Sequence, residues 1–500
     1  MLLDTDRLKL IFGLKVRQLR QQQGITLSTL ADRSGVSVSY LNEIESGKKY
    51  PKSEKVLVLA QALGTDYDTL VSMKLNKALE PVAALLKSPV LQQLPLEIFG
   101  IQPTDLLEIL AQSPNRFSAF IRTITELSQH YGIDSEQFFS ATLRSVQALH
   151  DNYFGDIEQA AESFLAENVA PNEAVNDELL AAILRQKFGF VIETFDKKTQ
   201  PQFSILRSVF LSNHQKLLIN EQLTPEQRFF TLGREIGYQV LQMHNRPLVS
   251  SVLEITSFEQ MFNNFRASYF AGCLLISQAE MSHALNGFLR QTQWNDHSLL
   301  AIMAHFKATP EMLMQRVSNV LTSHFKINQL FLVRFDNVAG RNFFLNSKSL
   351  HLTNDPQTQV ALREHYCRRS VSLRVLQEIA TQQQNNTWNE QPLCRAQIVT
   401  YHATGTQYLI ITLAKPSPPK PQLNSSVSLG LLIDDQLRAL IGFLNDPALP
   451  QDVVGPTCER CALANCAERV VPPIWVKKQE QIQAVQEKVA LFNKKNDQRK

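Results

Sequence analysis

No stretch of this chain approaches the ~20 consecutive apolar residues needed to cross a bilayer, so the sequence offers no transmembrane helix. Cysteine is scarce, with six in 500 residues, too few for a disulfide scaffold. Glycine numbers only 18, while 44% of residues are apolar and 19% charged; collagen-like and disordered classes are excluded. A large charge of one sign is missing as well. The net charge is +3, so any basic surface for nucleic acid must be local. The opening residues, MLLDTDRLKLIFGLKVRQLR, mix charged and apolar groups and match neither a signal peptide nor a transit peptide. A cytoplasmic protein that touches no membrane is expected.

The length suits about three domains. Residues 1–75 are helical in pattern, and Gly24, Gly35 and Gly47 each close a short helix. Residues 76–150 continue as amphipathic helices, which suits a linker or dimerisation region. From FGFVIETFD the period shifts towards alternation, and ILRSVFLSNHQKLLINEQL predicts two or three short strands. Strand signals return in LFLVRFD and YLIITLA, interrupted by KPSPPKPQ (415–422), which is expected to be an exposed loop. Near the end, Ile482, Val485, Val489 and Phe492 recur at helical spacing. The predicted organisation is 1–75, 76–150, 151–320, 321–475 and a basic helical tail at 476–500.

The segment GLKVRQLRQQQGITLSTLADRSGVSVSYLNEIESGKKYPKSEKVLVLAQALG resembles the helix-turn-helix domain of phage-repressor and xenobiotic-response-element (XRE) type regulators. Ala31 lets two helices approach, Gly35 permits the turn, and Ser37 is placed to cap the next helix. That helix, Val38 to Ser46, would be the recognition helix. The resemblance places Val38, Ser39, Asn42 and Glu43 against base edges in the major groove. Val38 suits a thymine methyl, and Asn42 suits adenine or a backbone phosphate. Arg17, Arg20, Lys48 and Lys49 are expected on phosphate. Residues 1–75 hold 11 basic and 8 acidic residues, an excess equal to that of the whole chain.

The stretch FTLGREIGYQVL, from Phe230, has the frame of a zinc-protease helix without its metal ligands. His-Glu-x-x-His puts two imidazoles on one helix face. Here Arg234 and Tyr238 hold those positions, while Glu235 stays where the general base would sit. With NNFRASYFAGCLLI, this region resembles the zinc-peptidase-like domain of the ImmA/IrrE group. In that group the later helix supplies a third ligand, a Glu; Arg266 stands there in this chain. Two guanidiniums repel a cation, so no zinc and no peptidase activity are expected. Glu235 is expected in an ion pair with an arginine; the alternative is a pocket for an anion lined by Arg234 and Arg266.

GPTCERCALANCAERVVPP carries Cys458, Cys461 and Cys466, followed by Arg469, Pro472 and Pro473. It resembles the C-terminal domain of bacterial regulators of short-chain fatty acyl (propionate and glyoxylate) metabolism, and the whole architecture fits that family. Three close thiols outside an oxidising compartment point to metal rather than disulfide. The resemblance implies Cys367 as a fourth ligand and a 4Fe–4S cluster, with zinc and plain packed thiols as alternatives. Arg363, Arg368, Arg369 and Arg460 would offset the cluster's negative charge. Cys273 reads as core, and Cys394 has no assigned place.

The expected fold is a mainly α helix-turn-helix domain followed by an α+β sensor region, made of the degenerate peptidase-like domain and a C-terminal α/β cysteine domain. The expected function is a homodimeric transcriptional regulator that binds a double-stranded DNA operator. The family resemblance implies a short-chain acyl-CoA effector. Two rival classes remain: a redox or iron sensor without a metabolite, and a residual peptidase acting on a partner regulator.

Overall fold

Short helices closed by glycine begin the chain, as the sequence pattern predicts. The computed structural model describes residues 4–72, 99 and 135–497, with breaks at 171–172, 197, 199, 204, 250–254, 354, 356–357, 359–363 and 418–419. Most of the segment expected to dimerise, 76–150, therefore lies outside the described residues. Two compact units divide the chain: residues 1–146 with 255–259, and residues 147–254 with 260–500.

In the first unit, α1 (Asp4–Gln22), α2 (Leu27–Ser34), α3 (Val38–Glu45), α4 (Ser53–Ala62) and α5 (Tyr67–Val71) surround one core. Val16, Leu30, Leu41, Ile44 and Leu59 are fully buried in it. Local chemistry sets the helix ends. The Thr26 and Ser37 side chains accept from the backbone N–H of Thr29 and Tyr40 to start α2 and α3. Gly35, at φ 65°, ends α2 in the left-handed conformation that glycine adopts without strain.

The second unit is α+β, with two mixed sheets. After α6 (Ser135–Leu149), which runs across the division at residue 146, the unit holds α7 (Gly155–Asn168) and α8 (Asp177–Phe188), and then β1 (Val191–Phe195), β2 (Ser208–Leu211) and β3 (Lys216–Asn220). Their sheet has the order β1-β3-β2, with β1 parallel and β2 antiparallel to β3. These are the short strands expected from the alternation. α9 (Pro225–Val240), α10 (Phe258–Leu275), α11 (Gln278–Leu289), α12 (Asp296–His305) and α13 (Pro310–Ser323) then lead to a six-stranded sheet.

That sheet contains β4 (Leu330–Val338), β5 (Phe344–His351), β6 (Leu393–Tyr401), β7 (Gln407–Ser417), β8 (Lys420–Leu432) and β9 (Gln451–Val454), in the order β5-β4-β8-β7-β6-β9. Alternate residues of a strand face opposite sides, and here both sides are apolar. Leu330, Leu332, Leu409 and Ile411 pack with Leu313, Val317 and Leu321 of α13. Phe331, Val333, Tyr408 and Ile410 pack with Leu373, Leu376 and Ile379 of α14 (Val371–Gln384). One core thus runs from Ile276 to Leu449 across residue 320. The Pro-rich segment is not the loop that was expected. β7 and β8 extend into it as a hairpin, Pro416 opposite Asn424, with a register shift between Pro416 and Ser417. Proline cannot donate to a ladder, and an irregular strand end is where a sheet tolerates it.

A buried ion pair fastens the helices of this unit. Arg316 of α13 donates two hydrogen bonds to Glu158 of α7, one at 2.8 Å, and a third to the Ile276 carbonyl at 2.8 Å. Tyr269 of α10 donates to the same carboxylate at 2.9 Å. Burial pushes the Glu158 carboxyl up, but the hydrogen bonds and charge of Arg316 outweigh it and hold it below its usual 4.5. A depressed carboxyl contributes stability above the unfolded value near 4.5 and loses it as pH falls. Arg316→Met leaves an unpaired buried carboxylate and is expected to cost about 3–5 kcal/mol in urea unfolding at neutral pH. The deficit should shrink on acidification; a deficit below about 1 kcal/mol would contradict this role for the pair.

Candidate nucleic-acid interface and thiol site

The outer face of α3 presents Val38, Ser39 and Asn42, all exposed, while Leu41 and Ile44 face inward. Ser37 is also exposed, with its hydroxyl engaged as the cap. Glu43 is half-buried and pairs with Lys49 at 2.8 Å. An exposed pair of this kind is weak enough for either partner to exchange onto DNA. Lys48 is exposed. Arg17 is half-buried, and its Nε has no hydrogen-bond partner.

Arg20 departs from expectation. Its guanidinium grips the buried Glu45 carboxylate through two hydrogen bonds, 2.7 and 2.8 Å, and the Ile25 carbonyl at 3.0 Å. It braces α1 against the end of α3 and is not free for phosphate. A basic rim that the sequence reading missed lies nearby. Lys55 sits 4.4 Å above the Tyr40 ring, and Lys52 precedes α4 exposed. The repeated lysines of KKYPKSEK were the available signal.

On α9 the former metal positions have separated. Arg234 and Tyr238 both donate to Asn264 Oδ1, at 3.3 and 3.1 Å. Arg266 turns away to Asp156 at 3.2 Å. The expected ion pair of Glu235 exists, but with Arg246, at 2.6 and 2.7 Å. Arg246 is stacked 3.9 Å from the Tyr238 ring and 4.2 Å from Phe210. A guanidinium therefore supplies the positive charge beside Glu235, and Arg234 and Arg266 do not meet to line one pocket.

The four cysteines named from the sequence come together. Cys367, Cys458, Cys461 and Cys466 line one cavity with Arg368, Arg369 and Arg469. Cys367 lies just before α14. Burial pushes its thiol up, while backbone N–H groups of Gly455 and Arg369 pull it down. The cysteine run is laced to the preceding segment: Cys458 N–H donates to the His365 carbonyl at 2.8 Å, and Arg460 pairs with Glu364 at 2.7 Å. Arg469 donates to the carbonyls of Cys458, Cys461 and Leu463 at 2.7–3.1 Å and closes the loop. Gly455 leaves room for Cys461, whose Sγ would lie 2.8 Å from a Cβ there. Among the described residues, no three His, Cys, Asp or Glu side chains are gathered to hold a single ion. Cys394, in β6, and Cys273, in α10, are buried core thiols; burial raises the first to about 12. Arg363 lies outside the described residues.

Residues 16–70 match the helix-turn-helix family model, and residues 185–318 match the IrrE N-terminal-like domain model. An uncharacterized HTH-type transcriptional regulator of Sinorhizobium fredii is 37% identical over 67 residues, covering 13% of this chain and 86% of its own. The chain belongs to the helix-turn-helix transcriptional regulators. This regulator is also similar to a propionyl-CoA carboxylase regulator of Cereibacter sphaeroides, at 24% identity over 348 residues, 66% of this chain and 69% of that one. HTH-type transcriptional regulator PrpR of Mycobacterium tuberculosis is 23% identical over 304 residues, 54% of this chain and 57% of the relative. Among the described residues, no helix of the regulator is long and apolar enough to cross a membrane.

The regulator binds DNA, and the exposed outer face of α3 is the candidate to read it. Asn42→Ala is expected to cost about 1–3 kcal/mol on a selected operator and relax preference at one base pair. Lys48→Ala should weaken binding to all sequences alike and lower the salt slope by about 1. Fluorescence anisotropy across a salt series checks both; unchanged binding in both variants would remove α3 from the interface.

Proposed function

We propose that this regulator senses through its second unit, where Cys367, Cys458, Cys461 and Cys466 ligate an iron–sulfur cluster and a metabolite acts as effector. The observation that carries the reading is the cavity in which all four thiols meet arginines. Four thiolates suit either a 4Fe–4S cluster or tetrahedral zinc. The likeness of the cysteine run to the short-chain acyl regulators favours the cluster. When bound, the cluster would supply a redox-sensitive crosslink between the segment before α14 and the loop after β9. The chain's own residues hold it: Arg469 fixes the loop backbone, and the Glu364–Arg460 pair fastens the two segments together.

The effector we propose is a short-chain acyl-CoA, supported by the likeness to the propionyl-CoA carboxylase regulator of Cereibacter sphaeroides. The protein acts in the cytoplasm as a homodimer on a two-fold operator, since two half-sites double the contacts. It is not a peptidase: Arg234, Tyr238 and Arg266 offer no zinc donors of the required kind, and Glu235 is held by Arg246. The half-exposed Cys466 favours a second reading, in which the cluster itself is the input and no metabolite binds.

Serine at Cys367, Cys458, Cys461 or Cys466 should abolish iron and acid-labile sulfide in protein isolated without oxygen. Cys273→Ser and Cys394→Ser should retain both. Four alkylatable thiols and no metal in the wild type would end the proposal.

A further inference from the structure

The thiol cavity contains one cation whose hydrogen bonds are incomplete. Arg368 follows Cys367 directly and is only 5% exposed. Its Nη2 donates to the Asn342 carbonyl at 3.1 Å, and the guanidinium lies 4.1 Å from the Phe344 ring. Its Nε and Nη1 are buried with no hydrogen-bond partner. A buried charge is ordinarily paired, and unpaired donors in a dry site are unfavourable. Among the described residues, the other arginines of the site are engaged. Arg369 holds Asp452 and also reaches the Cys466 sulfur, Arg460 holds Glu364, and Arg469 bonds three carbonyls. Burial disfavours the charge of Arg368, and the groups that favour it are the sulfurs of Cys458 and Cys367 when ionised. The side chain therefore has two donors to give and a cavity of thiols beside it.

We propose that Arg368 is the positioning residue of this site, its Nε–H and Nη1–H reserved for the sulfur acceptors of an anionic cluster held by the four cysteines. The inference rests on the cluster reading above and assigns one arginine, out of the several nearby, to the bound group. A guanidinium presents these donors in a fixed plane, which an ammonium cannot reproduce. Reduction adds negative charge to a cluster, so a buried cation that donates to its sulfurs stabilises the reduced form and raises the potential. Arg368 also balances charge: without it, four thiolates and the cluster are left with Arg369, shared between Asp452 and Cys466, and Arg469, held by backbone carbonyls.

The test uses full-length protein isolated without oxygen, titrated with dithionite and followed by absorbance, with iron and sulfide content measured in parallel. Arg368→Met keeps a stem over Phe344 and removes charge and donors; Arg368→Lys returns the charge alone. The expected result is a midpoint more negative in the Met variant by at least tenfold in the reduction equilibrium, about 59 mV for one electron. The Lys variant should recover part of that shift, and Arg438→Met, on an exposed site of the same unit, none. Loss of cluster from a Met variant with wild-type circular dichroism also supports the assignment. A loaded Met variant with the wild-type midpoint overturns it while leaving the cluster reading intact. If the Met variant does not fold, a wild-type midpoint in the Lys variant overturns it, and a shifted one supports it. A wild type without iron and sulfide overturns both readings together.

Discussion

A charge removed from water must be matched inside the protein, and here most of the buried or largely buried cations that must be matched are arginines. Arg20 meets Glu45 in the helix-turn-helix unit. In the second unit Arg246 meets Glu235, Arg316 meets Glu158, and Arg334 meets Glu311. The separations run from 11 residues for Arg246 and Glu235 to 158 for Arg316 and Glu158. Replacing one partner strands the other, so these contacts constrain the arrangement even where they add little net stability. Arg368 stands out against that background because, among the described residues, no carboxylate pairs with it and its Nε and Nη1 lack hydrogen-bond partners.

The same constraint bears on the peptidase-type helix, where Arg234 and Tyr238 stand at the two His positions of the zinc motif. A zinc ion would have brought positive charge to Glu235 and drawn α9 and α10 towards a shared centre. Arg246 now provides that charge, sandwiched between Tyr238 and Phe210, and Asn264 joins Arg234 to Tyr238 across the two helices. The helices from this region also cover one face of the six-stranded sheet, so the peptidase-like part and the cysteine-bearing part share a core.

Local signals made much of this legible in the sequence. Caps at Thr26 and Ser37, the turn at Gly35 and the inward Leu41 and Ile44 lie within a few residues of what they determine. The degenerate helix at Arg234–Tyr238 could be read because its ligand spacing is fixed by helix geometry. The four cysteines were named from a family pattern, and their meeting in one cavity depends on the fold of residues 364–369 against the loop after β9. Long-range pairing was not legible. Nothing in spacing says that Arg20 belongs to Glu45 rather than to phosphate, or that Glu235 chooses Arg246 over Arg234. Pro416 was taken for a loop because composition does not report that a strand can end irregularly. The core that crosses residue 320 was hidden for a related reason: alternating strands covered on both faces look the same in sequence whichever helices cover them.

The central claim is that metal binding in this chain belongs to the thiol cavity and not to the peptidase helix. Anomalous diffraction at the iron and zinc edges, from crystals of protein purified without oxygen, tests it in one measurement. The account predicts an iron-edge peak among Cys367, Cys458, Cys461 and Cys466, and no metal peak beside Glu235. A zinc-edge peak among Arg234, Tyr238 and Arg266, or a thiol cavity silent at both edges, would contradict it.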